Sequence, residues 1–166
     1  MDYRWTCSCC GTIFDTLPMD YAHRAPAAWS ALPEAERSTR AKLDSNLCAI
    51  DQREFYVRGC IEVPVPECDD IFAWGVWASV PKESFWYILD KWTAEIPADE
   101  PPIPGRLCNR INAYPDSTDL RCSVHLRSNN LRPRFVLEPT DHPLAIEQRD
   151  GITLERVKQI FAEWGH

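Results

Sequence analysis

No stretch of this chain is apolar for long enough to cross a bilayer, since a spanning helix needs about 20 consecutive apolar residues. The N-terminal run Met1-Asp2-Tyr3-Arg4-Trp5-Thr6 lacks a basic segment leading into an apolar one, so no secretory leader is expected. There is no excess of positive charge: 18 Lys and Arg stand against 25 Asp and Glu, for a net charge of −7. Such a chain is repelled by phosphate backbones, which argues against nonspecific nucleic-acid binding. No internal repeat occurs at solenoid periods. Nucleophile elbow, phosphate loop and H-E-x-x-H are all missing, so no familiar catalytic signature is present. Glycine is scarce, with 6 residues, while proline reaches 14. Prolines at Val63-Pro64-Val65-Pro66 and from Pro97 to Pro104 predict short elements and argue against a helical bundle.

What is present begins at residue 7. Cys7-Ser8-Cys9-Cys10-Gly11 contains a C-x-x-C pair followed by glycine. Two thiolates at that spacing can grip one Zn²⁺, and the glycine lets the backbone turn beneath the ion. Structural zinc takes four ligands, and no second C-x-x-C or H-x-x-x-H follows. Cys48, in a polar context, is the expected third ligand; Cys9, His23 and His142 are the alternatives for the fourth. The competing reading is that these are thiols capping the N-terminal turn. A thioredoxin-type role is disfavoured, because Gly11-Thr12-Ile13 does not open a helix. The chain is expected to be cytosolic, where its 8 cysteines stay reduced. Cys60, Cys108 and Cys122 read as small buried apolar residues.

Hydrophobic periodicity sets the rest. Phe55, Val57, Gly59, Ile61 and Val63 alternate with Tyr56, Arg58, Cys60 and Glu62, which predicts a strand with one core face over 54–63. Phe72 to Val80 predicts a central strand buried on both faces. A helix is predicted from Pro81 towards Pro97, with Phe85, Ile88, Leu89 and Trp92 recurring at helical spacing. Further strands are expected at 107–111, 120–127 and 134–138. Helices are expected from about Leu32 to Asp44, over 144–149, and after Thr153, which caps a stripe of Leu154, Val157, Ile160, Phe161 and Trp164. The expected architecture is α+β in a single domain over 1–166. Residues 1–25 form an irregular knuckle and loop; 26–166 form a mainly antiparallel sheet of about four or five strands, with helices on one side.

Several blocks then occur in one order: Cys7-x-x-Cys10-Gly11, Cys48-Ala49-Ile50-Asp51, Arg58-Gly59, Trp74-Gly75-Val76-Trp77, Glu100-Pro101-Pro102, Tyr114-Pro115-Asp116, Val124-His125 and Glu138-Pro139-Thr140-Asp141-His142-Pro143-Leu144-Ala145. Together they resemble the bacterial domain-of-unknown-function family 2199 over nearly the whole chain. The resemblance implies a bacterial, single-domain protein and no particular activity. The family pattern often carries a histidine shortly after the knuckle glycine, where this chain has Phe14.

Three functional readings follow. In the first, the chain is a small acidic binding protein, such as an immunity-type protein that neutralises a basic toxin or effector. Its recognition patch would be a polar sheet face with Tyr56, Arg58, Glu62, Arg121 and His125, types that include common interface anchors, joined by Trp77. A solvated face with cross-strand ion pairs accounts for the same alternation. In the second, it is a small hydrolase or metalloenzyme using His125, Asp141, His142 and Asp116 for acid–base chemistry. Helix capping near Pro143 explains Asp141 and His142 without chemistry. In the third, it is a zinc-stabilised module of a larger assembly. Of the 7 tryptophans, Trp77 and Trp86 fall out of phase with their neighbours and are candidates to reach a partner.

Overall fold

The computed structural model describes residues 4–164. In chain order the elements are β1 (Trp5–Thr6), β2 (Ile13–Phe14), β3 (Asp20–Ala22), α1 (Ala27–Ser30), α2 (Glu34–Arg40), β4 (Ala41–Leu43), β5 (Leu47–Ile50), β6 (Glu54–Val65), β7 (Asp70–Val80), α3 (Lys82–Lys91), β8 (Ile103–Leu107), β9 (Arg121–His125), β10 (Arg134–Leu137), α4 (Pro143–Asp150) and α5 (Leu154–Trp164). Helix and strand are mixed around a sheet-rich core. β1 and β2 pair as a ribbon of their own, and the other strands form one eight-stranded sheet in the order β3-β7-β8-β9-β10-β6-β5-β4. A further pairing of β6 with β7 closes β6, β7, β8, β9 and β10 into a five-stranded barrel.

The sheet is therefore larger than the four or five strands expected, and it is not simply antiparallel. β3 runs parallel to β7, and β10 runs parallel to β6 through the single pair Arg134↔Cys60. Segment 1–25 is not wholly irregular either, because it supplies β1, β2 and β3. The helix expected to reach Asp44 stops at Arg40, where the chain turns into β4. The strand expected at 107–111 lies earlier, at Ile103–Leu107, and β6 continues through Pro64 to Val65.

Alternation explains how the barrel fills. In β6, Phe55, Val57, Gly59, Ile61, Val63 and Val65 are all buried. They meet Trp74, Val76 and Ala78 of β7, Leu107, Val124 and Phe135 in one continuous apolar cluster. Helices α3, α4 and α5 close on that cluster through Phe85, Leu144 and Phe161. Successive strand residues point to opposite faces, so Tyr56 and Trp77 face the other way. There they join Cys48 and Ile50 in a second cluster, covered by Ala28, Trp29 and Leu32 around α1. Helical cover thus lies on both faces of β6 and β7, not on one side as expected.

α5 starts as its sequence predicts: the Thr153 hydroxyl accepts from the Arg156 amide at 3.0 Å, satisfying a first-turn donor. Its stripe of Val157, Ile160 and Phe161 is buried. A hydrogen-bonded chain ties this helix to the barrel. Trp74 Nε1 donates to the Tyr114 hydroxyl at 3.2 Å, that hydroxyl donates to Glu147 of α4, and Arg156 Nε donates to Glu147 at 2.8 Å.

Gly59 stands where the barrel closes. A Cβ there would strike the Phe135 ring and lie 2.8 Å from the Pro133 carbonyl oxygen. Gly59→Ala should therefore cost about 1–3 kcal/mol of stability, the usual range for overpacking. Denaturant titration should show the loss, and adding Phe135→Leu should restore only the part due to the ring. An unchanged midpoint for Gly59→Ala would mean that the seam yields freely.

Candidate functional site

The knuckle is built by the ribbon. Cys7 N donates to the Thr12 carbonyl and Gly11 N to the Cys7 carbonyl, both at 2.9 Å, which folds residues 7–12 into a tight loop. Gly11 sits at φ +71°, in the left-handed region that a residue without Cβ enters at no steric cost. The ribbon is anchored by aromatic packing: Trp5 stacks on Phe14 at 5.4 Å, and both rings meet Phe161 of α5 edge-on. Phe14 is thus part of the anchor, which accounts for an apolar ring at that position.

The loop brings Cys7, Cys9 and Cys10 together, with all three Sγ atoms within 4.8 Å of one another. Among the described residues this is the one group of three or more His, Cys, Asp or Glu side chains placed to hold a metal ion. Three thiolates at about 2.3 Å from one tetrahedral ion would stand roughly 3.8 Å apart. The Cys7–Cys9 separation is 3.0 Å, so a small outward rotation about χ1 would open the pair to that spacing. The Cys7 side is buried, while Cys9 and Cys10 face solvent. Three close cysteines can therefore hold a metal ion with one coordination position open outward.

The thiols differ in acidity. The Cys9 thiol is pushed up to about 11, first by its hydrogen bond with Cys7 and then by desolvation and neighbouring thiolate charge. Cys10 is lowered, chiefly by hydrogen bonds from the Thr12 side chain and backbone that favour its thiolate. No disulfide links any of the 8 cysteines.

The expected third ligand changes. Cys48 lies on β5, fully buried with Ile50, Tyr56 and Trp77. Burial first, and the Asp44 carboxylate second, push its thiol up to about 12, so it resists becoming a thiolate ligand. Cys9, not Cys48, is the third thiol beside Cys7 and Cys10. His23 is also elsewhere: its Nδ1 lies 3.3 Å from the Gly75 carbonyl oxygen, and its ring meets Trp164 edge-on.

The expected acid–base set converges only in part: Asp116 and His142 meet, whereas His125 is the last residue of β9. His142 caps α4: its Nδ1 accepts from the Leu144 amide at 3.2 Å. Its Nε2 lies 3.2 and 3.0 Å from the carbonyl oxygens of Pro115 and Asp116, so this nitrogen carries the proton and donates. Both ring nitrogens are engaged with backbone. His125 ends β9, whereas the 115–116 turn precedes that strand. His125 is thus separated from that turn along the chain by the whole of β9, which is roughly 14 Å long at about 3.4 Å per residue. Asp141 is exposed. Asp116 accepts from the Thr118 amide and hydroxyl, bonds that hold its carboxyl below the ordinary carboxylate value.

The expected recognition face is largely covered. Tyr56 and Trp77 are buried, and the Trp77 indole donates to the His23 carbonyl at 3.0 Å. Arg58 is half-buried and donates to the Ser45 carbonyl at 3.2 Å. Glu62 pairs with Arg127 at 2.7 Å. Of that set only Arg121 is exposed. His125 borders a cleft of about 410 Å³ with Glu62, Glu100, Arg127 and Arg134. Desolvation, and then the Arg134 charge, lower its pKa below the ordinary histidine value. Trp86, by contrast, is exposed on α3, as its phase suggested.

Residues 6–152 match the family model for DUF2199, described as an uncharacterized protein conserved in bacteria. The chain belongs to this family. The matched span takes in the cysteine knuckle, the Gly59 seam and the His142 cap of this DUF2199 member. No curated protein and no solved structure matches it. Among the described residues no helix is long and apolar enough to cross a membrane.

Thiolate character and exposure together set cysteine reactivity. In metal-free protein near neutral pH, iodoacetamide should label Cys10 first, Cys9 more slowly, and Cys48, Cys108 and Cys122 only after unfolding, as peptide mass spectrometry would read. Added Zn²⁺ should slow the labelling of Cys10 and Cys9. Labelling of Cys48 at the rate of Cys10 would contradict this order.

Proposed function

We propose that this protein is a non-catalytic bacterial binding protein that engages a basic protein partner, in the manner of an immunity protein neutralising a basic toxin or effector. The observation that carries the reading is the occupation of His142: both imidazole nitrogens hold backbone groups, leaving no lone pair to act as a base. His125 stands apart from it, and the barrel interior is filled by side chains. The net charge of −7 supports a basic partner, because complementary charge speeds encounter and suppresses wrong partners.

In this role Cys7, Cys9 and Cys10 hold a structural Zn²⁺. Thiolates suit this ion, and its binding free energy adds to folding free energy. A water or a partner group completes the coordination. Thiol ligation requires reduced cysteines, which suits a cytosolic setting.

Protein purified without added zinc should carry about one zinc per chain by elemental analysis. The Cys7→Ser, Cys10→Ser double variant should lose both the metal and part of its thermal stability. Purified protein that holds no metal, and whose melting curve the double variant leaves unchanged, would remove the structural role of zinc.

Binding separates the functional readings. Calorimetric titration with basic bacterial nuclease toxins should give saturable binding that weakens as salt rises and persists in His125→Ala. Absence of binding to any basic protein, together with a hydrolytic activity abolished by His125→Ala or His142→Ala, would replace the proposal with the enzyme reading.

A further inference from the structure

Six large apolar side chains are strongly exposed among the described residues, and three of them, Trp86 at 53%, Tyr87 at 41% and Leu89 at 44%, lie on α3. The inner side of this helix is accounted for. Phe85 and Ile88 are buried, and the Phe85 ring packs on Phe55 at 5.0 Å. Residues three and four apart are neighbours on a helix surface. Glu83, Trp86, Tyr87 and Asp90 therefore form one rhombus, with two aromatic rings between two carboxylates. All four are exposed. A fifth group extends the patch, because the Tyr87 hydroxyl donates to Glu100, which fixes a carboxylate beside the ring.

The charge around the rhombus is strongly one-sided. Residues 82–100 contain Lys82 and Lys91 against Glu83, Asp90, Glu95, Asp99 and Glu100, a net −3 out of the chain's −7. An exposed Trp face flanked by carboxylates suits a guanidinium or ammonium group, which can stack on the ring and pair with an acid at once. The fold uses the same chemistry internally: the Arg37 guanidinium lies 4.3 Å from the centre of the Trp29 ring. That arginine covers Trp29, whereas more than half of Trp86 is open to solvent.

We infer that the outer face of α3, centred on Trp86 and Tyr87 and bordered by Glu83, Asp90 and Glu100, is the surface that receives an arginine- and lysine-rich protein partner. This inference rests on the proposed binding of a basic partner and assigns it a place. Tryptophan and tyrosine are the residue types that most often dominate interface energetics, and the acids supply steering. The face expected from strand alternation is partly covered by α1 and by the Glu62–Arg127 pair, whereas on this one Lys91 lies 5.8 Å from the centre of the Tyr87 ring and Trp86 stays open to solvent.

The test uses the full-length protein and a synthetic arginine- and lysine-rich amphipathic peptide, with a glutamine-substituted counterpart as control. Binding is followed by the amide and indole resonances of α3 at low and moderate salt. The expected result is saturable shifts centred on residues 83–90, with roughly tenfold weaker binding in Trp86→Ala and in Glu83→Gln, Asp90→Asn. Leu131→Ala, an exposed apolar change elsewhere, should leave the affinity unchanged. Retained folding of each variant is checked by its amide spectrum away from α3. Peptide binding that is unaffected by the α3 variants would overturn the surface assignment and leave the basic-partner reading standing. Failure to bind the basic peptide, or equal binding of its glutamine counterpart, would overturn both.

Discussion

The absence of a side chain at residue 59 is the constraint on which the barrel depends. β10 reaches β6 through one parallel pair, Arg134↔Cys60, supported by the Cys60 amide donating to the Pro133 carbonyl at 2.9 Å. A seam with so few backbone bonds must be held by packing. The Phe135 ring supplies it by lying over the bare Cα of Gly59, where another residue's Cβ would sit. A fully buried Phe contributes roughly 1.5–3 kcal/mol. That contribution requires the two backbones to approach as closely as glycine allows. With the seam closed, the inward residues of five strands become a single core. The helices α3, α4 and α5 then have a convex surface to pack against.

The same closure distributes the polar chemistry. His142 is drawn to the 115–116 turn, where it serves the backbone, and His125 is left at the far end of β9. The Trp74–Tyr114–Glu147–Arg156 chain is similarly structural, passing from the barrel wall to α4 and α5. Burial, and then the adjacent Glu147 carboxylate, push the Tyr114 hydroxyl well above its ordinary value, so it stays protonated and keeps donating. The thiol loop is the exception. Its three sulfurs converge at the surface, on a ribbon held by the Trp5, Phe14 and Phe161 rings.

Much of the long-range order left little trace in sequence, while local order left a clear one. The period of two in β6, the apolar run of β7, the Thr153 cap and the stripe of α5 are local signals, and each element forms about where its pattern predicts. β4 and β5 are too short for periodicity to register. The parallel placement of β3 depends on β7, more than fifty residues later. Burial of Tyr56 and Trp77 was illegible for the same reason: alternation assigns them a face, but only the arrival of Ala28, Trp29 and Leu32 shows that the face is covered. In the thiol loop, C-x-x-C-G marks the turn and two of its thiols. Cys9, sequence-adjacent to Cys10, completes the trio because the tight turn brings its Sγ to 3.0 Å from that of Cys7. Cys48 looked loop-like, since an isolated four-residue strand resembles one.

The sheet begins with β3 and ends with β4, each only three residues long. A sheet edge is ordinarily a template on which another chain can add a strand, and short edges blunt that tendency. This architecture offers almost no open backbone ladder, although it contains eight strands. It is thereby guarded against edge-to-edge self-association and against strand addition by another chain at those two edges.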